Sequence, residues 1–345
     1  MHAVVFHGPG EKRWERVDDP RVECGSDAVV RITTATICDT DLHILKGDVP
    51  EVRPGTVLGH EAVGVVEEVG SSVSNLKKGD RVLIPAITTD GSCDFCRRGM
   101  YSHCRHGGWV FGRTLHGLQA EHARVPYADT SLYKVPDELT DEQVLFLADI
   151  LPTSYECGVL NGQVKPGDTV AVVGAGPIGL AAVLLSRLFS PGLIIAVDLD
   201  ETRLERARQF GADVTVRSGA EKVTERVMEW THGAGVDVAM EAVGTPETFE
   251  LCADLVKPGG RVANIGVHGK PVCLHLERLW AHNITITTRL VDTVSIPQLL
   301  KLIQAGRFDP TVFATHTFAL SEAMAAYDVF SRAGETGALK VGLKQ

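Results

Sequence analysis

Hydrophobic and polar positions change their period along the chain. Up to about residue 150 the apolar runs are short and β-branched. Segments 62–69 (AVGVVEEV), 81–84 (RVLI) and 122–125 are each bounded by turn-forming residues. Such runs predict short strands in an irregular antiparallel barrel or sandwich. The texture changes after Pro152. Segment 169–173 reads as a continuous apolar strand, 178–189 as an almost wholly apolar helix, and 193–197 as the next strand. An amphipathic helix follows over 201–210, with Asp200 placed to cap it and Gly211 to end it. Segments 236–241 and 261–265 read as further strands. Strands alternating with helices predict βαβ units and a doubly wound parallel sheet buried on both faces. The tail carries two helix patterns, 297–305 and 321–332. Composition does not assign it to either half.

Length agrees with this division, since 345 residues suggest two domains. The shares of hydrophobic (44%) and charged (23%) residues are those of a globular protein. The net charge of −10 lacks the basic footprint of a nucleic-acid or polybasic membrane binder. Segment 169–186 is uncharged, but a glycine-rich turn in its middle argues for strand, turn and helix over a membrane span. The first ten residues show no basic-then-apolar signal pattern. A reducing, cytoplasmic setting is expected, where clustered cysteines bind metals more often than they form disulfides.

The segment Val170-Ala-Val-Val-Gly174-Ala-Gly176-Pro177-Ile178-Gly179 runs from a strand through G-x-G-x-x-G into a helix. Gly174 allows the tight turn, Gly176 lets the backbone approach a pyrophosphate, and Gly179 lets helix and strand pack closely. The helix start offers free N–H groups to phosphates. Asp198 stands 19 residues after Gly179, at the end of the next strand. A carboxylate there accepts from a ribose 2′-hydroxyl and repels a 2′-phosphate, which predicts NAD over NADP. Arg203 is placed to touch the ribose or adenine, or to recruit a 2′-phosphate.

Two sets of residues have metal-ligand character. Cys93 and Cys96 have C-x2-C spacing, and Cys104 follows eight residues on. Three thiolates call for a fourth ligand in a closed zinc site, and Asp90, His103 and His106 are the candidates. The second set is dispersed: Cys38, Thr40, Asp41 and His43, then His60-Glu61, then Asp149. Asp149 stands in the apolar run 144–151, where a carboxylate needs a partner, and a metal is a good one.

In this order, C-x-T-x-x-H, GHE, D-G-x-C-x2-C-x7-C and G-x-G-x-x-G with its acid, the chain resembles the zinc-dependent medium-chain alcohol dehydrogenases. The bacterial branch near secondary-alcohol and formaldehyde dehydrogenases is the most similar. The tail shares the likeness through 287–293 (TTRLVDT) and 337–341 (GALKV). The resemblance implies a GroES-like, barrel-like catalytic domain over 1–151, completed by 291–345, and a Rossmann domain over 152–290, with the active site in the cleft between them. It implies a catalytic zinc on Cys38, His60 and Asp149, with Glu61 beside the ligands and Asp41 bonded to the ligand histidine. Cys93, Cys96 and Cys104, with Asp90, would hold a structural zinc. Thr40 would take the alcohol proton, which passes by way of the cofactor ribose to His43. Gly266, Val267 and Lys340 would lie along the cofactor, and Trp109, Phe111 and Leu115 would line the substrate pocket. A homo-oligomer is implied, as a tetramer.

The expected function is hydride transfer between a small primary or secondary alcohol and NAD. Polyol, threonine or formaldehyde dehydrogenation on the same scaffold is the alternative enzyme reading. A non-catalytic dinucleotide-binding protein is the alternative from another class, and the retained Cys38, Thr40, His43, His60 and Asp149 speak against it. Asp39, His116 and Arg289 depart from the familiar pattern. An inward Asp39 would repel phosphate, so an outward orientation is expected. Cys24, Cys157, Cys252 and Cys273 are expected to be plain buried residues.

Overall fold

The computed structural model describes residues 1–345. Its contacts divide the chain into two compact units, Met1–Asp149 with Asp292–Gln345, and Ile150–Val291. The first unit opens with a hairpin of β1 (His2–Gly8) and β2 (Glu11–Arg16). Its larger sheet is built on β3 (Ala28–Thr36), β4 (Ala62–Val69), β5 (Arg81–Ile84), β6 (His122–Val125) and β7 (Tyr133–Lys134). The branched chains of β3 bury both faces, so the strand pairs with β4 along one edge and serves as the spine of the unit.

The second unit contains β8 (Thr169–Val173), β9 (Leu193–Asp198), β10 (Val214–Arg217), β11 (Val236–Glu241), β12 (Val256–Asn264) and β13 (Thr285–Thr288). They form one parallel sheet in the order β10-β9-β8-β11-β12-β13. The order reverses beside β8, and a sheet of this kind binds ligands at such a switch point. The expected apolar helix is shorter than its pattern: Pro177–Ser186 is α-helical, and Arg187–Phe189 tightens into a 3-10 turn before Ser190 at φ +53°. β12 begins earlier than expected. Pro258-Gly259-Gly260 reads as a turn, but a register shift between Val236 and Val238 absorbs it and keeps the pairing.

The tail returns to the first unit. β14 (Ala314–Ala319) runs parallel to β15 (Lys340–Lys344), and β15 pairs with β3 through Gly342 opposite Thr36. Leu320, Ala323, Tyr327, Phe330, Val341 and Leu343 enter the same core as Val30, Ile32 and Phe111. No helix is long and apolar enough to cross a membrane.

Candidate functional site

Strand pairing draws the dispersed residues together. β3 ends at Thr36, and Cys38 then starts the helix Asp39–Lys46. Ala35 faces Ala62, which places the His60-Glu61 pair ahead of β4 beside Cys38. The Ala86 N–H donates to the Ala148 carbonyl at 2.9 Å, which anchors the chain beside Asp149. The Cys38 Sγ lies 3.6 Å from Asp149 Oδ2, and His60 Nε2 lies 3.7 Å from that oxygen and 3.8 Å from Glu61 Oε1. Donor atoms of these four residues all fall within 4.8 Å of one another. A zinc tetrahedron with bonds of about 2.0–2.3 Å has edges of roughly 3.3–3.8 Å, so sulfur, nitrogen and oxygen stand at fitting separations.

The electrostatics suit a dication. Burial pushes the Cys38 thiol up to about 11. Burial opposes a charge on His60, but hydrogen bonds to Asp149 and Cys38 outweigh it and raise its pKa well above the usual value. Burial also raises Glu61, against the pull of Lys340. Lys340 Nζ donates to Glu61 Oε1 at 2.7 Å, with both side chains buried. Glu61 and Lys340 thus cancel, and Cys38 and Asp149 carry the charge to balance a divalent ion. Lys340, expected along the cofactor, stands buried against Glu61. Pairing of β15 with β3 puts it there, a long-range fact no local pattern carries.

Around this cluster, Thr40 Oγ1 sits 3.7 Å from Cys38 Sγ. His43 is about half exposed and shares a 2.8 Å hydrogen bond with Asp48. Asp39 is exposed at the first turn of its helix, where the dipole favours an anion.

The second cluster is local. Donor atoms of Asp90, Cys93, Cys96 and Cys104 also lie within 4.8 Å of one another. Cys93 Sγ is 3.3 Å from Cys96 Sγ, and Asp90 Oδ1 is 3.2 Å from Cys96 Sγ. Backbone N–H groups of Arg105 and Cys96 draw the Cys93 thiol down to about 7, while burial pushes Cys96 up to about 12. Of the three candidates for the fourth position, Asp90 is the one in the cluster. His106 bonds the outer Asp90 oxygen at 2.6 Å, and His103 bonds Ser102 at 2.9 Å. Burial works against the Asp90 charge, but His106 and neighbouring donors hold its carboxyl well below the usual range.

In the second unit the three loop glycines have three separate reasons. Gly174 has φ +100°, and a Cβ there would lie 2.5 Å from Val243. A Cβ on Gly179 would lie 1.8 Å from the Gly174 carbonyl oxygen. A Cβ on Gly176 would meet nothing within 4 Å, so this backbone borders open space at the helix start. Asp198 accepts from the Ala175 N–H at 2.7 Å and the Asp200 N–H at 2.9 Å, and Arg203 stands 4.0 Å from it. Pro177 and Ile178 form the first turn. Gly266 packs on Gly244, where a Cβ would lie 2.3 Å from the Gly244 nitrogen, and Val267 is 82% exposed. An open glycine cradle at a helix N-terminus beside a carboxylate suits a dinucleotide.

Several expectations need correction. Phe111 is fully buried in the core, and Leu115 packs against that core from its edge. Trp109 alone approaches the cluster, edge-on to His60 with ring centres 6.3 Å apart. An aromatic in a short loop reads the same whether it faces core or cavity. Cys24 and Cys273 are exposed; Cys157 and Cys252 are buried. The unexplained residues gain partners: His116 Nδ1 accepts from the Val57 N–H at 3.2 Å, and Arg289 lies 3.7 Å from buried Glu156. The sequence reading missed Glu156, Gln119 and Tyr327. None of the three carried a local sign as strong as that of Asp149 in its apolar run.

Comparison with known proteins places this geometry. The profile of the alcohol dehydrogenase GroES-like domain matches residues 25–137, and that of the zinc-binding dehydrogenase matches residues 177–305. An alcohol dehydrogenase of Cupriavidus necator is 40% identical, with 100% of this chain and 98% of the relative covered. The solved apo form of zinc-dependent alcohol dehydrogenase 2 from Streptococcus pneumonia is 49% identical, with a TM-score of 0.95 over 100% of this chain and 98% of that one. The alcohol dehydrogenase of Thermus sp. ATN1 is 39% identical, with a TM-score of 0.94 over 100% and 99%. The fold, the two donor clusters and these matches agree: the chain belongs to the zinc-dependent medium-chain alcohol dehydrogenase family.

Proposed function

We propose that the protein is a cytoplasmic dehydrogenase of small primary or secondary alcohols that prefers NAD to NADP. The observation that carries the reading is the convergence of Cys38, His60 and Asp149, three different donors within 4.8 Å of one another, with Thr40 at their edge. These three residues would hold a catalytic zinc, and Asp90, Cys93, Cys96 and Cys104 a structural one. When bound, the catalytic zinc supplies Lewis acidity and the nicotinamide accepts the hydride. Thr40 Oγ1 is placed to receive the hydroxyl proton of an alcohol. His43, half in water, is placed to hand a proton to solvent. The Gly174–Gly179 turn would bind the pyrophosphate, and Asp198 would discriminate at the ribose, with Gly266 and the exposed Val267 along the dinucleotide.

The test is a cofactor-reduction screen over primary, secondary and polyol substrates, run with both NAD and NADP. Turnover of small mono-alcohols with NAD is expected. Exclusive polyol turnover, or none with any alcohol, removes the substrate reading. In the same assay Asp198→Ala should shift the NAD-to-NADP ratio toward NADP by about tenfold, roughly 1.4 kcal/mol. An unchanged ratio removes the ribose role of Asp198.

A homo-oligomer, a tetramer by the family likeness, is part of the proposal. The outer edge of β13 is unpaired, and Trp280, 80% exposed, stands close to it in sequence. Sedimentation equilibrium should return a multiple of the 37.1 kDa chain mass, and the single-chain mass would end this reading.

A further inference from the structure

The buried Asp41 carboxylate has two unequal oxygens. Oδ2 accepts from the Cys38 N–H and from Gln119 Nε2, each at 3.0 Å. Oδ1 receives no hydrogen bond and faces His60 Nδ1 at 3.7 Å, itself buried and unbonded. A proton on Nδ1 aimed at Oδ1 selects the tautomer that leaves Nε2 free for the donor cluster.

Which oxygen faces His60 is decided one residue further out. Gln119 is fully buried, and its Nε2 also donates to the Thr36 carbonyl at 3.2 Å. Its Oε1 accepts from the Tyr327 hydroxyl at 2.8 Å. A flipped amide would press its oxygen on a carboxylate and a carbonyl and leave the phenol without an acceptor, so the orientation is doubly determined. Burial, with Asp41 nearby, raises the Tyr327 phenol well above its usual pKa, so it remains a donor. The Gln119 main chain is also held: its N–H donates to the Leu58 carbonyl at 2.9 Å, and its carbonyl accepts from Val4 at 2.9 Å. Gly59, at φ +93°, completes the fit, because a Cβ there would lie 2.5 Å from Gln119 Cγ. The backbone carrying His60 therefore rests directly on Gln119.

We propose that Gln119, locked by Tyr327, is a positioning residue that pins the Asp41 carboxylate so that Oδ1 stays aimed at His60 Nδ1. The inference rests on the reading of Cys38, His60 and Asp149 as a zinc site. Tyr327 lies in the tail helix Ala323–Ser331, so the tail reaches the cluster through this residue as well as through Lys340.

The test follows zinc release from the loaded full chain into excess chromogenic chelator. Cys38→Ser identifies which equivalent belongs to the Cys38 cluster. Gln119→Leu should release that equivalent about tenfold faster or more, while the other leaves at the wild-type rate. Tyr327→Phe, which keeps the ring and removes only the hydroxyl, should act in the same direction but less. The double variant should release no faster than Gln119→Leu, because both changes free the same amide. Tyr327→Phe decides the matter alone if Gln119→Leu does not fold. Wild-type release rates in both single variants overturn the proposal, as does equal acceleration of both equivalents with a lowered melting temperature. Should the wild type yield one equivalent, unaffected by Cys38→Ser, the zinc reading falls and this proposal with it. Two wild-type equivalents with unchanged rates remove the role of Gln119 alone.

Discussion

Asp149→Asn is expected to lower kcat/KM by about 1000-fold, roughly 4 kcal/mol of transition-state stabilisation. The amide keeps the shape of the carboxylate but loses its charge. Cys38 and Asp149 are the two anions left to balance a dication once Glu61 is neutralised by Lys340. With Asp149 neutral, the cluster has one net anion, and Asp149 Oδ2 is the atom that stands near both Cys38 Sγ and His60 Nε2. Zinc content should fall from about two equivalents per chain toward one, since the Asp90 cluster is built from different residues. Paired measurement of metal content and steady-state kinetics checks this. Near-normal turnover with two equivalents would show that Glu61, 3.8 Å from His60 Nε2, completes the set instead.

Gly179→Ala should destabilise the second unit by about 3 kcal/mol, a melting-temperature drop of about 10 °C. The added methyl would lie 1.8 Å from the Gly174 carbonyl oxygen and 2.8 Å from its carbon. Main chain cannot yield as a flexible side-chain end would, so the turn must open. Dinucleotide affinity should fall by about tenfold or more with it, because the N–H groups of the helix start would be displaced from the phosphates. Gly176→Ala is the contrast. Its methyl meets nothing, so the melting temperature should hold while dinucleotide affinity falls, because the methyl occupies the space a phosphate would approach. Thermal unfolding and fluorescence titration with NADH separate the two. Equal melting of both variants would show that the turn is not under the constraint its geometry implies.

The local signs were the reliable ones. Strand, G-x-G-x-x-G and helix over 169–186 were legible because the positive φ of Gly174 and the contact of Gly179 with the Gly174 carbonyl are constraints within the turn itself. Cys93, Cys96 and Cys104 were legible because their ligand spacing lies within one loop, and Asp90 was already among the candidates there. Asp149 stood out because a carboxylate in an apolar run needs a partner. Boundaries were less legible: the bulge that carries β12 through Pro258-Gly259-Gly260 exists only because β11 lies beside it.

Three things were decided by the tertiary structure. Pairing of β15 with β3 gave the tail to the first unit and set Lys340 against Glu61. Core packing made Phe111 a buried residue and left Trp109 beside His60. The hydrogen bonds from Tyr327 through Gln119 to Asp41 join residues 41, 119 and 327. Sequence alone determined the two textures, the glycine turn and the local donor lobe of Asp90, Cys93, Cys96 and Cys104, because those rest on spacing within one element or one loop. What partners each buried polar group depends on contacts between residues hundreds of positions apart, and only the folded chain supplies them.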